Sequence, residues 1–225
     1  MYIPYCNFQC FSVKSFEVQV GLHELLGHGS GKLLKREANG EMNFAQGLIN
    51  PLDGQAVSKF YEKGETYDSK FTSLGSSYEE CRAECVGLYL SVDDDVLNIF
   101  NIVSQICMQL FTKIVLLVNI SQDPQEKQDV IYTNWFSLCH AAINGVAMYS
   151  PASGEWKQAH SQARFVILQV LQEAGENFVS VKEVIGEDGK PDLLLTMVLI
   201  ENDFINCFKN RRYLISFDHF RTEAN

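Results

Sequence analysis

The stretch His23-Glu24-Leu25-Leu26-Gly27-His28 decides how this 225-residue chain is interpreted. Zinc peptidases commonly carry H-E-x-x-H on a helix, where the two imidazoles lie one turn apart and the glutamate acts as general base. Here the second histidine comes one residue later. Five residues of a regular helix turn through about 500°, which leaves the two side chains about 140° apart. A single π-helical turn absorbs one residue, so the spacing predicts a locally widened helix, with Gly27 easing the distortion.

A second segment, Glu79-Glu80-Cys81-Arg82-Ala83-Glu84, supplies candidates for a third metal ligand. A catalytic zinc takes three protein ligands and keeps a fourth position open. Three glutamates that enter an otherwise apolar helix are costly to bury without cations or donors, and a metal with its histidine N–H groups would supply both. The alternatives are a solvated acidic first turn favoured by the helix dipole and, for His23 and His28, two structural histidines beside an incidental acid.

Together these segments resemble the dipeptidyl peptidase III family of zinc exopeptidases, which carry the motifs H-E-L-L-G-H and E-E-C-R-A-E. His23–His28 and Glu79–Glu84 match both motifs. The sequence around them matches as well, and a third matching segment follows further along the chain. These additional segments are Lys14–Leu22, Gly64–Phe71 and Trp156–Leu168.

The resemblance implies a metal site in which His23, His28 and Glu80 bind one zinc ion per chain. Glu79 and Glu84 would stand behind the ligands and orient the two histidine rings. These assignments follow the positions at which the chain matches the family motifs.

The resemblance also implies three residues that act on the substrate. Glu24 would be the general base that activates the attacking water, His160 would help to stabilise the transition state, and Arg164 would hold the substrate backbone. His160 and Arg164 lie at i and i+4, so both can point into one cleft. The alternative for this pair is a polar stripe that faces solvent on an amphipathic helix.

The reaction implied by the resemblance is zinc-dependent peptide hydrolysis, which releases N-terminal dipeptides from short oligopeptides in the cytoplasm. An alternative is a catalytically inactive zinc-binding fragment with an incomplete substrate cleft, acting as an interaction module. A non-peptidase metal hydrolase is a third possibility, which the two histidines and a glutamate third ligand disfavour.

The expected fold is mainly α with a small β component, as in the helical, zinc-bearing catalytic lobe of a zincin-like metallopeptidase. Family members are several times longer and have two lobes, so residues 13–199 are expected to form part of the catalytic lobe. Residues 101–128 read as an insertion, and 1–12 and 200–225 as unassigned tails. Translated non-coding sequence is the leading hypothesis for all three segments.

Composition and charge exclude several classes of partner. The net charge is −10 and the pI about 4.9, which argues against nucleic acid and indicates solubility or an attraction for cationic peptide termini. The seven cysteines include no C-x-x-C pair and indicate free thiols in a reducing compartment. The apolar stretch Ile102–Ile120 contains Gln105, Gln109 and Lys113, which make a membrane span costly. The oligomeric state stays open.

Periodicity and turn residues predict five helices and one hairpin. Residues 35–63 are expected to be mostly loop with short strands. The predicted helices are Ser15–Leu34, Ser76–Leu90, Val96–Ile120, Asp129–Tyr149 and Ser153–Gly175, and the predicted hairpin pairs Val179–Val184 with Leu193–Leu199.

Overall fold

Helices dominate the structure, a computed structural model that describes residues 5–51, 53–100, 102, 126–174, 178–186 and 188–197. The helices are α1 (Tyr5–Leu22), a π-helical segment (His23–His28), α2 (Tyr67–Phe71), α3 (Gly75–Leu90), α4 (Asp94–Ile99), α5 (Glu126–Gly145) and α6 (Ala159–Glu173), with 3₁₀ turns at Thr72–Leu74 and Val146–Met148. The strands are β1 (Tyr149–Ser150), β2 (Glu155–Trp156), β3 (Val179–Ile185) and β4 (Pro191–Met197). The expected fold, mainly α with a small β component, is confirmed.

The core lies where α1, α3, α5 and α6 pack against one another. Helix α5 contributes the largest share of it, because its apolar residues recur at helical spacing on one face. Those residues are Ile131, Trp135, Leu138 and Ala142, all 5% exposed or less. Helix α6 presents a matching face with Ala163, Ile167 and Leu171. This four-helix contact fixes the relative positions of the helices that carry the metal-site candidates.

The first helix differs from its predicted bounds at both ends. It begins at Tyr5, ten residues before the predicted start at Ser15, and the helical run ends at His28, six residues before Leu34. The run stops because Gly29 follows as its C-cap and Gly31 adopts a positive φ of 89°, a conformation that glycine accepts without strain. The following segment, residues 35–63, is mostly loop, as predicted, joined by isolated bridges such as Lys35 with Tyr61.

Two helices in the second half of the chain have bounds that differ from those predicted. Helix α6 begins at Ala159 rather than Ser153, because Gly154 (φ 68°) forms the turn between β1 and β2, and Gln158 caps the helix. Helix α5 likewise ends at Gly145, before a 3₁₀ turn.

The predicted helix 96–120 is described only in part. Of its described residues, 96–99 form the end of α4 (Asp94–Ile99), which is capped by the side chain of Asp93, whereas Phe100 and Ile102 lie outside any helix. Residues 101 and 103–120 lie outside the described residues, and so does most of the suggested insertion. Within the described part of the chain, no helix is both long and apolar enough to cross a membrane.

The predicted hairpin is confirmed as β3 and β4. The strands pair antiparallel from Val179 opposite Met197 to Ile185 opposite Pro191. Gly189, at φ 75°, lies in the connection.

Candidate metal centre

The segment His23–His28 is a π-helix, which confirms the widened turn predicted from the histidine spacing. It packs tightly on α3 at Gly27, which is buried. A Cβ at this position would lie 2.8 Å from both Cα and Cβ of Ala83. The structure therefore supplies a reason for glycine that the sequence did not indicate, namely the close approach of the π segment to the helix that carries Glu80.

Three side chains converge where the π segment faces α3. One ligand atom each from His23, His28 and Glu80 can be chosen so that all lie within 4.8 Å of one another. Nε2 of His23 lies 3.2 Å from Oε2 of Glu80, and Nε2 of His28 lies 3.6 Å from the same oxygen. The two rings meet edge to face, with centroids 4.8 Å apart.

The far side of each ring, opposite Glu80, faces a second carboxylate. Nδ1 of His28 lies 3.0 Å from Oε1 of Glu79, and Nδ1 of His23 lies 3.7 Å from Oε2 of Glu84. A carboxylate only accepts hydrogen bonds, so with a metal bound at both Nε2 atoms the two ring protons would lie on Nδ1 and point at Glu79 and Glu84.

This donor set fits a bound metal. Oε2 of Glu80 is buried and has no hydrogen-bond partner among the described residues, and Nε2 of His23 and of His28 lie 3.2 Å and 3.6 Å from it. A cation between these electron-rich atoms would satisfy all of them. Two histidines and one glutamate are also a ligand set used by catalytic zinc, with one position left for water or substrate.

The carboxylate behind His28 is held by an arginine. Arg82 donates to Glu79 from Nε at 3.0 Å and from Nη2 at 2.5 Å, while its Nη1 donates to the carbonyl of Ser30 at 3.0 Å. Burial alone would raise the pKa of Glu79, but the hydrogen bonds from Arg82 and His28 outweigh it and lower that pKa. Arg82 thus ties the carboxylate to the loop that follows the π segment.

The carboxylate behind His23 is buried more deeply. Glu84 is 2% exposed, and it accepts hydrogen bonds from Arg164 at 2.7 Å and from Gln19 Nε2 at 2.8 Å. Gln19 in turn accepts from Asn134 Nδ2 at 3.1 Å. Burial would raise the pKa of Glu84, but His23, Arg164 and Gln19 together lower it to about 2. The same carboxylate raises the pKa of His23, against the effect of burial.

A cavity of about 590 Å³ adjoins this cluster and is lined by side chains from α1, α5 and α6. Glu24 lines it with an exposed side chain, which no described side chain hydrogen-bonds. His160 also lines it, with Nε2 3.1 Å from Oε2 of Glu80 and its ring stacked on His23 at 5.8 Å. Arg164 lines it too, but its guanidinium is engaged by Glu84 rather than held free. All eight residues singled out from the sequence therefore lie in or beside one site.

Comparison with known proteins agrees with this geometry. Residues 6–225 match the model of peptidase family M49. The chain belongs to peptidase family M49. It is 48% identical over 179 residues to dipeptidyl peptidase 3 of Rattus norvegicus, 47% over 179 residues to that of Homo sapiens and 45% over 184 residues to that of Nematostella vectensis. These alignments cover 79%, 79% and 81% of the chain and 22% of each relative, so the chain spans about a fifth of their length.

Three residues of this M49 chain belong to the cluster although the sequence analysis gave them no role. Arg82 lies at i+3 from Glu79, and Gln19 at i−4 from His23, so helical spacing alone could have placed Arg82 on the face of Glu79 and Gln19 on the face of His23. Asn134 has no such signal. Its contact with Gln19 joins residues 115 positions apart and depends on the packing of α5 against α1.

Proposed function

We propose that this chain is a zinc-dependent peptidase that releases N-terminal dipeptides from short oligopeptides. The observation that carries the proposal is the convergence of Nε2 of His23, Nε2 of His28 and the unsatisfied Oε2 of Glu80 beside a cavity. Membership of peptidase family M49 supports the reaction class. The name of the relatives, dipeptidyl peptidase 3, supports dipeptide release.

In this proposal His23, His28 and Glu80 hold one zinc ion, while Glu79 and Glu84 fix the ring orientations. When bound, zinc would lower the pKa of a water and polarise the scissile carbonyl. With metal on Nε2, each ring would carry its proton on Nδ1, where Glu79 or Glu84 presents an acceptor.

Glu24 is the proposed general base. Its carboxylate follows His23 directly, is exposed and lines the cavity. It would take a proton from the attacking water and deliver it to the leaving amine nitrogen. A base that is tied up by another side chain could not do this, and no described side chain hydrogen-bonds Glu24.

His160 and Arg164 are the proposed substrate-facing residues. Nε2 of His160 lies 3.1 Å from Glu80 Oε2, so a donor there would lie close to an oxyanion formed at the site. Arg164 would bind the substrate backbone from the cavity wall while it remains paired with Glu84.

Short peptides are the proposed substrates and the cytoplasm is the proposed location. The net charge of −10 supports attraction of a cationic peptide terminus and opposes nucleic acid binding. Cys81, Cys85 and Cys139 are free thiols, as expected of a protein in a reducing compartment.

A second candidate function is a zinc-binding module without catalytic activity. It is favoured by two exposed apolar side chains: Phe16, 66% exposed, lines the cavity, and Leu25, 75% exposed, follows the cavity-lining Glu24 in the chain. Exposed apolar side chains beside a cleft are typical of a surface that contacts further protein. In this case the metal cluster would form and the cleft would lack groups that peptide hydrolysis requires.

Zinc content and hydrolysis of a dipeptidyl reporter, measured before and after chelation, test the proposal. One zinc per chain with chelator-sensitive cleavage is the expected result. Glu24→Gln should abolish turnover and leave zinc bound, whereas Glu17→Gln, the same change at an exposed position of α1, should alter neither. Bound zinc without cleavage by the unaltered chain would favour the binding module, and cleavage that survives Glu24→Gln would refute the assigned base.

A further inference from the structure

We propose that Gln158 fixes the proton of His160 on Nε2, so that this histidine donates a hydrogen bond into the site while His23 and His28 bind metal. Gln158 is then a positioning residue that acts through His160. The catalytic consequence rests on the proposed function, but the proton position itself does not.

The first step is the orientation of the Gln158 amide. Gln158 is the N-cap of α6, in extended conformation at φ −147° and ψ 122°. Its Oε1 accepts a hydrogen bond from the backbone N–H of Ser161 at 2.6 Å. A backbone N–H can only donate, so the oxygen of the amide must face Ser161 and the nitrogen must face away from it.

The second step follows from where that nitrogen lies. Nε2 of Gln158 lies 3.2 Å from Nδ1 of His160. An amide NH₂ group only donates, so Nδ1 must accept. A neutral imidazole carries one proton, and with Nδ1 serving as acceptor that proton lies on Nε2.

The residue that faces Nδ1 therefore differs among the three histidines of the site, and with it the ring nitrogen that carries the proton. His23 and His28 have carboxylates that face Nδ1, so in the zinc-loaded chain they would carry the proton there and bind metal through Nε2. His160 has an amide donor behind Nδ1, which gives the opposite tautomer. The three imidazoles are chemically identical, so their tautomers differ because different groups face Nδ1.

The N–H of His160 then points into the site. Its Nε2 lies 3.1 Å from Oε2 of Glu80, yet no hydrogen bond joins the described residues to that oxygen. The N–H is thus near the reacting centre without being consumed there. A donor in this position would stabilise negative charge on a carbonyl oxygen during hydrolysis. The opposite tautomer would present a lone pair and repel that charge.

The substitution Gln158→Glu reverses the donor behind the ring with little change of shape. One carboxylate oxygen can still accept from Ser161 N–H and cap α6, and the other now faces Nδ1 as an acceptor. Gln172→Glu is the matched control, because Gln172 is exposed on the same helix and about 20 Å from the cap at 1.5 Å per residue.

The experiment is ring ¹H–¹⁵N correlation spectroscopy of the zinc-loaded full chain at pH 8, where a neutral imidazole reports its tautomer through the two nitrogen shifts. Comparison with His160→Gln assigns the His160 signals. We expect His160 protonated on Nε2 in the unaltered chain and in Gln172→Glu, and protonated on Nδ1 in Gln158→Glu. Reporter hydrolysis should fall about 100-fold in Gln158→Glu, with zinc content unchanged.

Either of two tautomer measurements can overturn the proposal. If its His160 carries the proton on Nδ1, or if Gln158→Glu leaves the tautomer as it was, Gln158 does not set it. If the tautomers are as expected but no variant, nor the unaltered chain, cleaves the reporter, the proton assignment stands and the proposed peptidase function fails.

Discussion

Arg164 places both Nε and Nη2 at 2.7 Å from a single oxygen of Glu84. This pair joins α6, which carries the substrate-facing candidates, to the carboxylate behind His23. Glu84 is 2% exposed, and a buried carboxylate needs this charge compensation to stay ionised. Arg164 therefore supports the metal cluster in addition to any contact with substrate.

Arg164→Met should weaken both the fold and the metal site. Without the guanidinium, Glu84 keeps only its contacts with Gln19 and His23. We expect the free energy of unfolding of the metal-free chain to fall by about 1–3 kcal/mol, a value reduced for the partial exposure of Arg164. We also expect zinc affinity to fall by about tenfold. Urea unfolding and chelator competition measure the two effects.

Arg164→Lys is the companion variant. It keeps the charge but not the paired donors, so it should lose less stability than Arg164→Met. If both variants raise KM alone and leave zinc affinity and stability as they were, Arg164 acts on the substrate only.

Gly27→Ala should separate the π segment from α3. The new Cβ would meet Cα and Cβ of Ala83 at 2.8 Å, and a backbone atom cannot rotate aside. We expect a loss of about 1–3 kcal/mol from overpacking, together with weaker zinc binding, because His23 and His28 would move relative to Glu80. Urea unfolding with and without zinc measures both.

Leu25→Ala is the control for Gly27→Ala within the same segment. Leu25 is 75% exposed, so its truncation should change stability by less than about 0.5 kcal/mol. Equal stability and zinc affinity in Gly27→Ala and the unaltered chain would show that the close contact with Ala83 carries no constraint.

The sequence predicted local features of the site better than the contacts that support it. The π turn followed from the spacing of His23 and His28, because residues per turn are a property of the backbone alone. Helix α3 was predicted to within one residue of its start at Gly75. The pairing of Arg164 with Glu84 was not predicted, since it depends on how α6 lies against α3. The metal-ligand roles themselves remain predictions.

The errors in the predicted helix bounds arose where a predicted helix and turn or cap residues fall in the same segment. The helix predicted from Ser153 covers residues that instead form the turn at Gly154 and the strand β2. The turn at Gly154 and the cap at Gln158 both mark the true start at Ala159. The boundaries suggested at residues 12, 101–128 and 200 remain predictions, and α1 runs through the first of them without a break.

Cys139 should resist alkylation in the folded chain. It is fully buried, and burial raises the pKa of its thiol to about 12. Because the thiolate is the reactive form, its labelling by iodoacetamide at pH 8 should be slow when folded and fast in urea. Between pH 8 and 10 the folded rate should keep rising with pH, whereas an ordinary thiol of pKa about 8.5 levels off. Peptide mass spectrometry measures the rates, and equal labelling with and without urea would contradict the prediction.

Gln19→Met should weaken zinc binding without emptying the space that Gln19 fills. Gln19 lies so close to Gly87 that a Cβ there would be 2.7 Å from its Nε2, and methionine has a similar length. The substitution removes the donor to Glu84 and the acceptor for Asn134, which is 3% exposed. Chelator competition should report a loss of about tenfold or more in zinc affinity.

The matched control for Gln19→Met is Gln172→Met at an exposed position of α6, which should bind zinc as the unaltered chain does. The double variant Gln19→Met with Asn134→Leu adds a second test. Removing both polar partners should recover part of the lost stability, because no buried amide is then left unsatisfied, but it should not recover zinc affinity, since Glu84 still lacks its donor. Recovery of zinc affinity in the double variant would show that Gln19 acts through packing rather than through its hydrogen bond to Glu84.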